Sequence, residues 1–182
     1  TYAEKGLLQV KLHGPGWDDL PLQAGQALNV VPDKATYAGH RLEELLPVLD
    51  QSGVQYSQTE DSVTVLGVSK HSKDAAEGVN AIVGLAESLS LIQPHPAFLF
   101  IADAVGEDAT GEALFGPISD EPSGDLSFNL ATLVIDQEQS EIGIDIRIPV
   151  LADKEALVAR LREIAASYQL EYEEFDYLAP LY

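Results

Sequence analysis

The stretch "EIGIDIRIPV", Glu141 to Val150, alternates without a break: Ile142, Ile144, Ile146 and Ile148 point one way, Asp145 and Arg147 the other. A period of two is satisfied by an extended strand with one apolar and one polar face. Such a strand needs a neighbouring strand and a layer to cover its apolar side. Leu126 to Asp136, joined to it by "QEQS", supplies the neighbour and predicts a hairpin. Lys154 to Tyr168 then places Leu157, Leu161, Ile164 and Ala165 at helical spacing behind an Asp153 cap, and Leu170 to Tyr177 closes as a strand.

A similar order opens the chain. Leu7 to Leu12 alternates as a strand, "HGPGWDDLP" is a loop, and Ala27 to Tyr37 is extended, with Pro32 marking an edge or a break. Leu42, Leu45, Leu46 and Leu49 share a helix face, and Pro47 predicts that this helix is kinked or short. Val54 to Thr59 and Ser62 to Val68 form a hairpin around "EDS". Asp74 to Ser88 reads as a helix with Ala75, Val79, Ile82, Val83 and Ala86 on one face, with Asp74 as cap and Glu77 completing a capping-box-like pattern. Phe98 to Ala104 fits either helix or strand, and a Gly-, Asp- and Glu-rich connection with a short helix around Ala113 follows. The ββαβ pattern thus occurs twice. The expected class is α+β: antiparallel sheets with helices on one face, a ferredoxin-like split βαβ, and two sub-halves of about 1–92 and 93–182.

Composition narrows the function. At 182 residues and 46% hydrophobic content the chain can bury a core. A net charge of −20 argues against nucleic acid and acidic membranes, whose recognition needs clustered Lys and Arg. No apolar run approaches the length of a membrane span. The absence of cysteine excludes a disulfide scaffold and thiol catalysis and agrees with a cytoplasmic location. There is no HExxH, GxSxG or GxxxxGK[ST] motif, and His13, His40, His71 and His95 are too dispersed for a self-contained metal site. The chain has no Met and reads as a piece of a longer protein.

Three polar residues stand in apolar settings. Asn29 in "ALNVV" reads alone as a turn or edge-strand residue, and His71 in "GVSKHS" as a surface or capping residue. Arg147, on the polar face of the Ile strand, reads as part of a cross-strand ion pair.

"GVSKHSKDAAEGVNAI" resembles the histidine-bearing stretch in the lid domain of the dinuclear-zinc aminoacylase and carboxypeptidase-like metallopeptidases. "EKGLLQVKL", "NVVPDKA", "GDLSFNLATL", "IDIRIPV" and the closing "ALVARLREIAASYQLEYEEFDYLAPLY" follow the order of the lid in PepV-type dipeptidases, so the likeness spans nearly the whole chain. One departure is Ala76 or a near neighbour, where many relatives have proline. The resemblance implies that residues 1–182 are a lid inserted in a catalytic domain that lies outside this chain. That domain would bind two zinc ions, with no metal ligand supplied here.

The resemblance also implies roles. His71 matches the histidine that stabilises the tetrahedral oxyanion, Asn29 the asparagine that orients substrate, and Arg147 the arginine that grips the free carboxylate of a dipeptide. The implied partners are a dipeptide and the chain's own catalytic domain in cis, and a monomer is expected. Two other readings stand beside it: a dimerisation module, and a ferredoxin-like module binding a small metabolite.

Overall fold

The computed structural model describes residues 3–182. Its first half runs β1 (Gly6–Pro15), β2 (Leu22–Ala24), β3 (Lys34–Tyr37), α1 (Leu42–Ser52), β4 (Gln55–Gln58) and β5 (Val63–Leu66), then a 3-10 helix (Ser72–Glu77) and α2 (Ala81–Ser90). Next come α3 (Pro96–Phe100), a π-helical turn (Ile101–Val105), α4 (Glu112–Phe115), and the two-residue strands β6 (Ser119–Asp120) and β7 (Gly124–Asp125). The chain closes with β8 (Ser127–Ile135), β9 (Gln139–Ile148), α5 (Lys154–Ser167) and β10 (Glu171–Leu178). The fold is α+β with antiparallel sheets. No helix among the described residues is long and apolar enough to cross a membrane.

The main sheet has the order β10-β1-β9-β8-β2, and a smaller one the order β3-β5-β4. Both β9 and β10 are antiparallel to β1, which lies between them. They are therefore parallel to each other and joined by α5, which makes β9-α5-β10 a split βαβ. A strand from the start of the chain thus completes a unit formed at its end. The apolar face of this sheet carries Leu8, Val10, Leu12, Phe128, Leu130, Ile144 and Ile146, all nearly inaccessible. They join Leu45, Leu49, Ile82, Leu85, Phe98, Phe100 and Leu161 in one cluster that reaches both sheets.

Three local expectations change, and one open choice resolves. The helix expected from Asp74 begins instead at Ala81. Gly78 is extended, and Val68 and Val79 exchange backbone hydrogen bonds (2.9 and 3.0 Å), so Val79 is exposed rather than inward. Asn80 is the cap: its Oδ1 accepts from Ile82 N and Val83 N, while its Nδ2 donates to Leu130 O at 2.7 Å. Pro47 does not shorten α1, which continues for 11 residues. Pro47 is exposed, so the Glu43 carbonyl that loses its partner stands on the solvent side. The 3-10 helix packs on the polar side of β8 and β9, so helical structure covers part of both faces. Finally, Phe98 to Ala104 is helical, a choice the apolar run left open.

Candidate functional site

The polar side of β8 and β9 is a ladder of facing residues. Ser127 pairs with Arg147 and Asn129 with Asp145, while Phe128 and Leu130 on the intervening rungs face the core with Ile146 and Ile144. Segments 28–31 and 70–72 dock on this ladder. They pair with each other first: Val30 bridges His71, Ser72 N donates to Asn29 O at 2.8 Å, and Val31 N donates to Lys70 O at 2.8 Å. The ladder then fixes them. Asn129 Nδ2 lies 3.1 Å from Leu28 O, 2.9 Å from Val30 O and 3.0 Å from Ser72 Oγ, and Ser127 Oγ donates to Ser72 O. Gly143 makes room for this docking, because a Cβ there would stand 2.1 Å from Thr132 Oγ1 and 2.7 Å from a Leu28 methyl.

The three residues singled out from the sequence are linked through a chain of backbone pairings and hydrogen bonds. Asn29 and His71 are adjacent on paired segments, both exposed, and Ser72 ties them to Ser127, whose rung partner is Arg147. His71 caps the 3-10 helix, with Nδ1 accepting from Lys73 N at 3.1 Å. A ring nitrogen that accepts carries no proton, so the neutral imidazole keeps its proton on Nε2, leaving a donor on the far side.

Arg147 makes an ion pair along its own strand rather than across the sheet. Its Nε donates to Asp145 Oδ1 at 2.7 Å and an Nη2 hydrogen donates to Asp145 Oδ2 at 3.2 Å. Asp145 is fully buried, and Gln9 Nε2 donates to its Oδ2 at 2.9 Å from β1. The guanidinium thus spends one edge on Asp145. Its Nη1–Nη2 edge keeps two parallel N–H groups, the arrangement that fits a carboxylate.

Arg147 lines an open cleft of about 490 Å³ with Glu4, Lys5, Lys73 and Asp74. Three cations in one cleft are notable in a chain with 10 basic and 30 acidic residues. Burial pushes the Lys5 ammonium below its ordinary pKa, while Asp125, Asp120 and Asp74 pull it back up. Lys5 also donates to Asp125 O. His71 and Asn29 do not line this cleft; Lys73 and Asp74, which do, belong to the 3-10 helix that His71 caps.

Sequence reasoning missed Asp145, Gln9, Asn129 and Lys73 as members of the site. The signal for Asp145 was present, since residues two apart on a strand share a face. Its total burial was not, because it depends on β1 and the docked segments closing over a face that alternation marks as solvated. Among the described residues, no group of three or more His, Cys, Asp or Glu is placed to hold a metal ion.

No family model matches the chain. A Bacillus subtilis (strain 168) protein described as "Putative dipeptidase YtjP" is 30% identical over 178 residues, covering 85% of this chain. The chain is similar to a segment of that dipeptidase-type protein. It spans 38% of that protein's length. This relative agrees with the dipeptidase resemblance carried by the histidine stretch and "IDIRIPV". A crystal structure of an aminoacylhistidine dipeptidase from Vibrio alginolyticus aligns with a TM-score of 0.43 and 9% identity, over 98% of this chain and 46% of that chain. That structural likeness is too distant to bear on function.

Proposed function

We propose that this dipeptidase-like chain is the substrate-gripping lid of a zinc-dependent dipeptidase, acting on a dipeptide bound between it and a catalytic domain in cis. The observation that carries the reading is the half-engaged Arg147 guanidinium in a cation-rich cleft of an otherwise acidic chain. Its Nη1–Nη2 edge would take the free C-terminal carboxylate. The Nε2–H of His71 would donate to the oxyanion that develops at the scissile carbonyl, and Asn29 would hold the substrate in line between them. A donor fixed by its own Nδ1 acceptor bond costs little reorganisation as charge develops.

In this reading the zinc ions belong to the catalytic domain. The chain contributes donors and shape. One copy is proposed to suffice: the outer strand β10 carries Glu171, Glu173, Glu174 and Asp176, and these would face like charges if a second copy paired along that edge.

In the full-length protein, His71→Ala is expected to lower kcat by about 10²–10³, the usual cost of an oxyanion donor, with metal content unchanged. An unaffected kcat removes His71 from the chemistry. Arg147→Lys keeps a positive charge against Asp145 but loses the fork. It should raise KM for dipeptides while sparing their C-terminal amides, and equal loss on both would contradict the carboxylate clamp.

A further inference from the structure

We propose that Asp145 is the positioning residue that makes Arg147 selective for a free carboxylate. The inference rests on the clamp reading above and adds to it the group that aims the clamp. Asp145 is wholly buried, and both of its oxygens are engaged: Oδ1 by Arg147 Nε, Oδ2 by Arg147 Nη2 and by Gln9 Nε2. The guanidinium is planar, so two bonds on one edge fix the direction of the other edge. The Asp145 backbone is itself fixed as a central β9 residue, paired with Gln9 on β1 and Asn129 on β8.

Two opposing effects follow from removing the carboxylate. The cleft would gain positive charge, which favours an anionic substrate. The guanidinium would also be freed, and Glu4 and Asp74 line the same cleft. A flexible arginine beside two carboxylates turns toward them, and an arginine engaged there has no fork to offer. The loss of aim therefore outweighs the gain in charge, because neighbouring acids are tethered whereas substrate must be recruited from solution.

The test compares a dipeptide with its C-terminal amide in the full-length protein. Asp145→Asn is expected to raise KM for the free acid about tenfold, as loss of a charge-assisted hydrogen bond does. Its kcat should change much less, and KM for the amide should stay within about twofold. On an Arg147→Lys background the same change should add little, since the two residues act as one unit. Gln9→Leu removes one support of Asp145 without touching Arg147. It should shift the acid-to-amide preference the same way by about two- to threefold, which keeps the idea testable if Asp145→Asn does not fold. An unchanged acid-to-amide preference in these variants, while Arg147→Lys abolishes it, overturns the positioning role and leaves the clamp standing. An unchanged preference in Arg147→Lys itself overturns the clamp.

Discussion

On one face of the β8–β9 hairpin, Phe128, Leu130, Ile144 and Ile146 are at most 2% exposed and merge with the helices in a single apolar cluster. On the other face, interleaved with them, stand Ser127, Asn129, Asp145 and Arg147; Asn129 and Asp145 are equally hidden, Ser127 nearly so, and Arg147 is partly exposed. Both faces are buried, but by different means. The apolar face gains from removal of surface from water and tolerates exchange among apolar residues of similar volume. The polar face gains little from burial as such. Its value lies in directed bonds, each of which specifies where a segment or a guanidinium must sit. One side of the hairpin makes the fold stable, and the other makes it hold particular groups in place.

This contrast predicts how each face breaks. Arg147→Ala strands the Asp145 carboxylate in the interior with Gln9 as its remaining donor, and should cost about 3–5 kcal/mol, the usual penalty for orphaning a buried charge. Replacing both members, with Asp145→Leu and Arg147→Met together, should recover most of that loss, because a buried ion pair is close to break-even against apolar packing. Ile144→Ala on the opposite face should cost about 2–5 kcal/mol through transfer and cavity terms, and no second substitution on the polar face should rescue it. Chemical denaturation of these variants, with Asp145→Leu and Arg147→Met also made singly, reads these values. Additive losses for Asp145→Leu and Arg147→Met would mean that the pair is not the unit proposed.

Asn129→Ala separates global from local effects. It removes the Nδ2 donor shared by Leu28 O, Val30 O and Ser72 Oγ, at about 1–3 kcal/mol. The loss should fall on the docked segments. The amides of Val31 and Ser72, which bond to Lys70 O and Asn29 O, should exchange faster, while β8 and β9 amides keep their protection. Uniformly faster exchange across the hairpin would show that Asn129 supports the sheet rather than the segments that carry Asn29 and His71.

Sequence patterning reached the apolar face and stopped short of the polar one, for a physical reason. Ile142 to Ile148 announces a half-buried strand because apolar burial is read from period alone, and the hairpins and the Asp153-capped helix follow from equally local signals. The insertion of β1 between β9 and β10 is not local, since its register joins residues more than a hundred positions apart. The same holds for Asn129, whose partners lie near residues 30 and 72. The helix start was misplaced because Asp74 offers a local cap, whereas the cap in use, Asn80, also bonds Leu130 O on a distant strand. His71, Asn29 and Arg147 stand out in the sequence as polar residues in apolar settings, and the family likeness supplies only their expected roles. Their neighbours Asp145 and Gln9 do not stand out, since nothing in the local pattern marks a polar residue as buried.

A half-buried acid sharpens the comparison. Asp145 has a guanidinium bonded to it. Glu87 on α2, half-buried and near Glu107, has no ion-pair partner among the described residues. Burial first, and the Glu107 charge second, push its carboxyl up to about 7 from 4.5. A raised folded pKa means that the folded state holds a proton the unfolded chain has released. Stability from this group is therefore fully present below pH 4.5, falls as pH rises toward about 7, and is flat beyond. Glu87→Gln mimics the protonated form at every pH. Its melting temperature should match the parent near pH 4.5, exceed it by a growing margin up to pH 7, and hold that margin above. A constant offset across this range would mean that the Glu87 carboxyl titrates alike in the folded and unfolded chain, and that solvent reaches it as freely as it reaches an exposed helix glutamate.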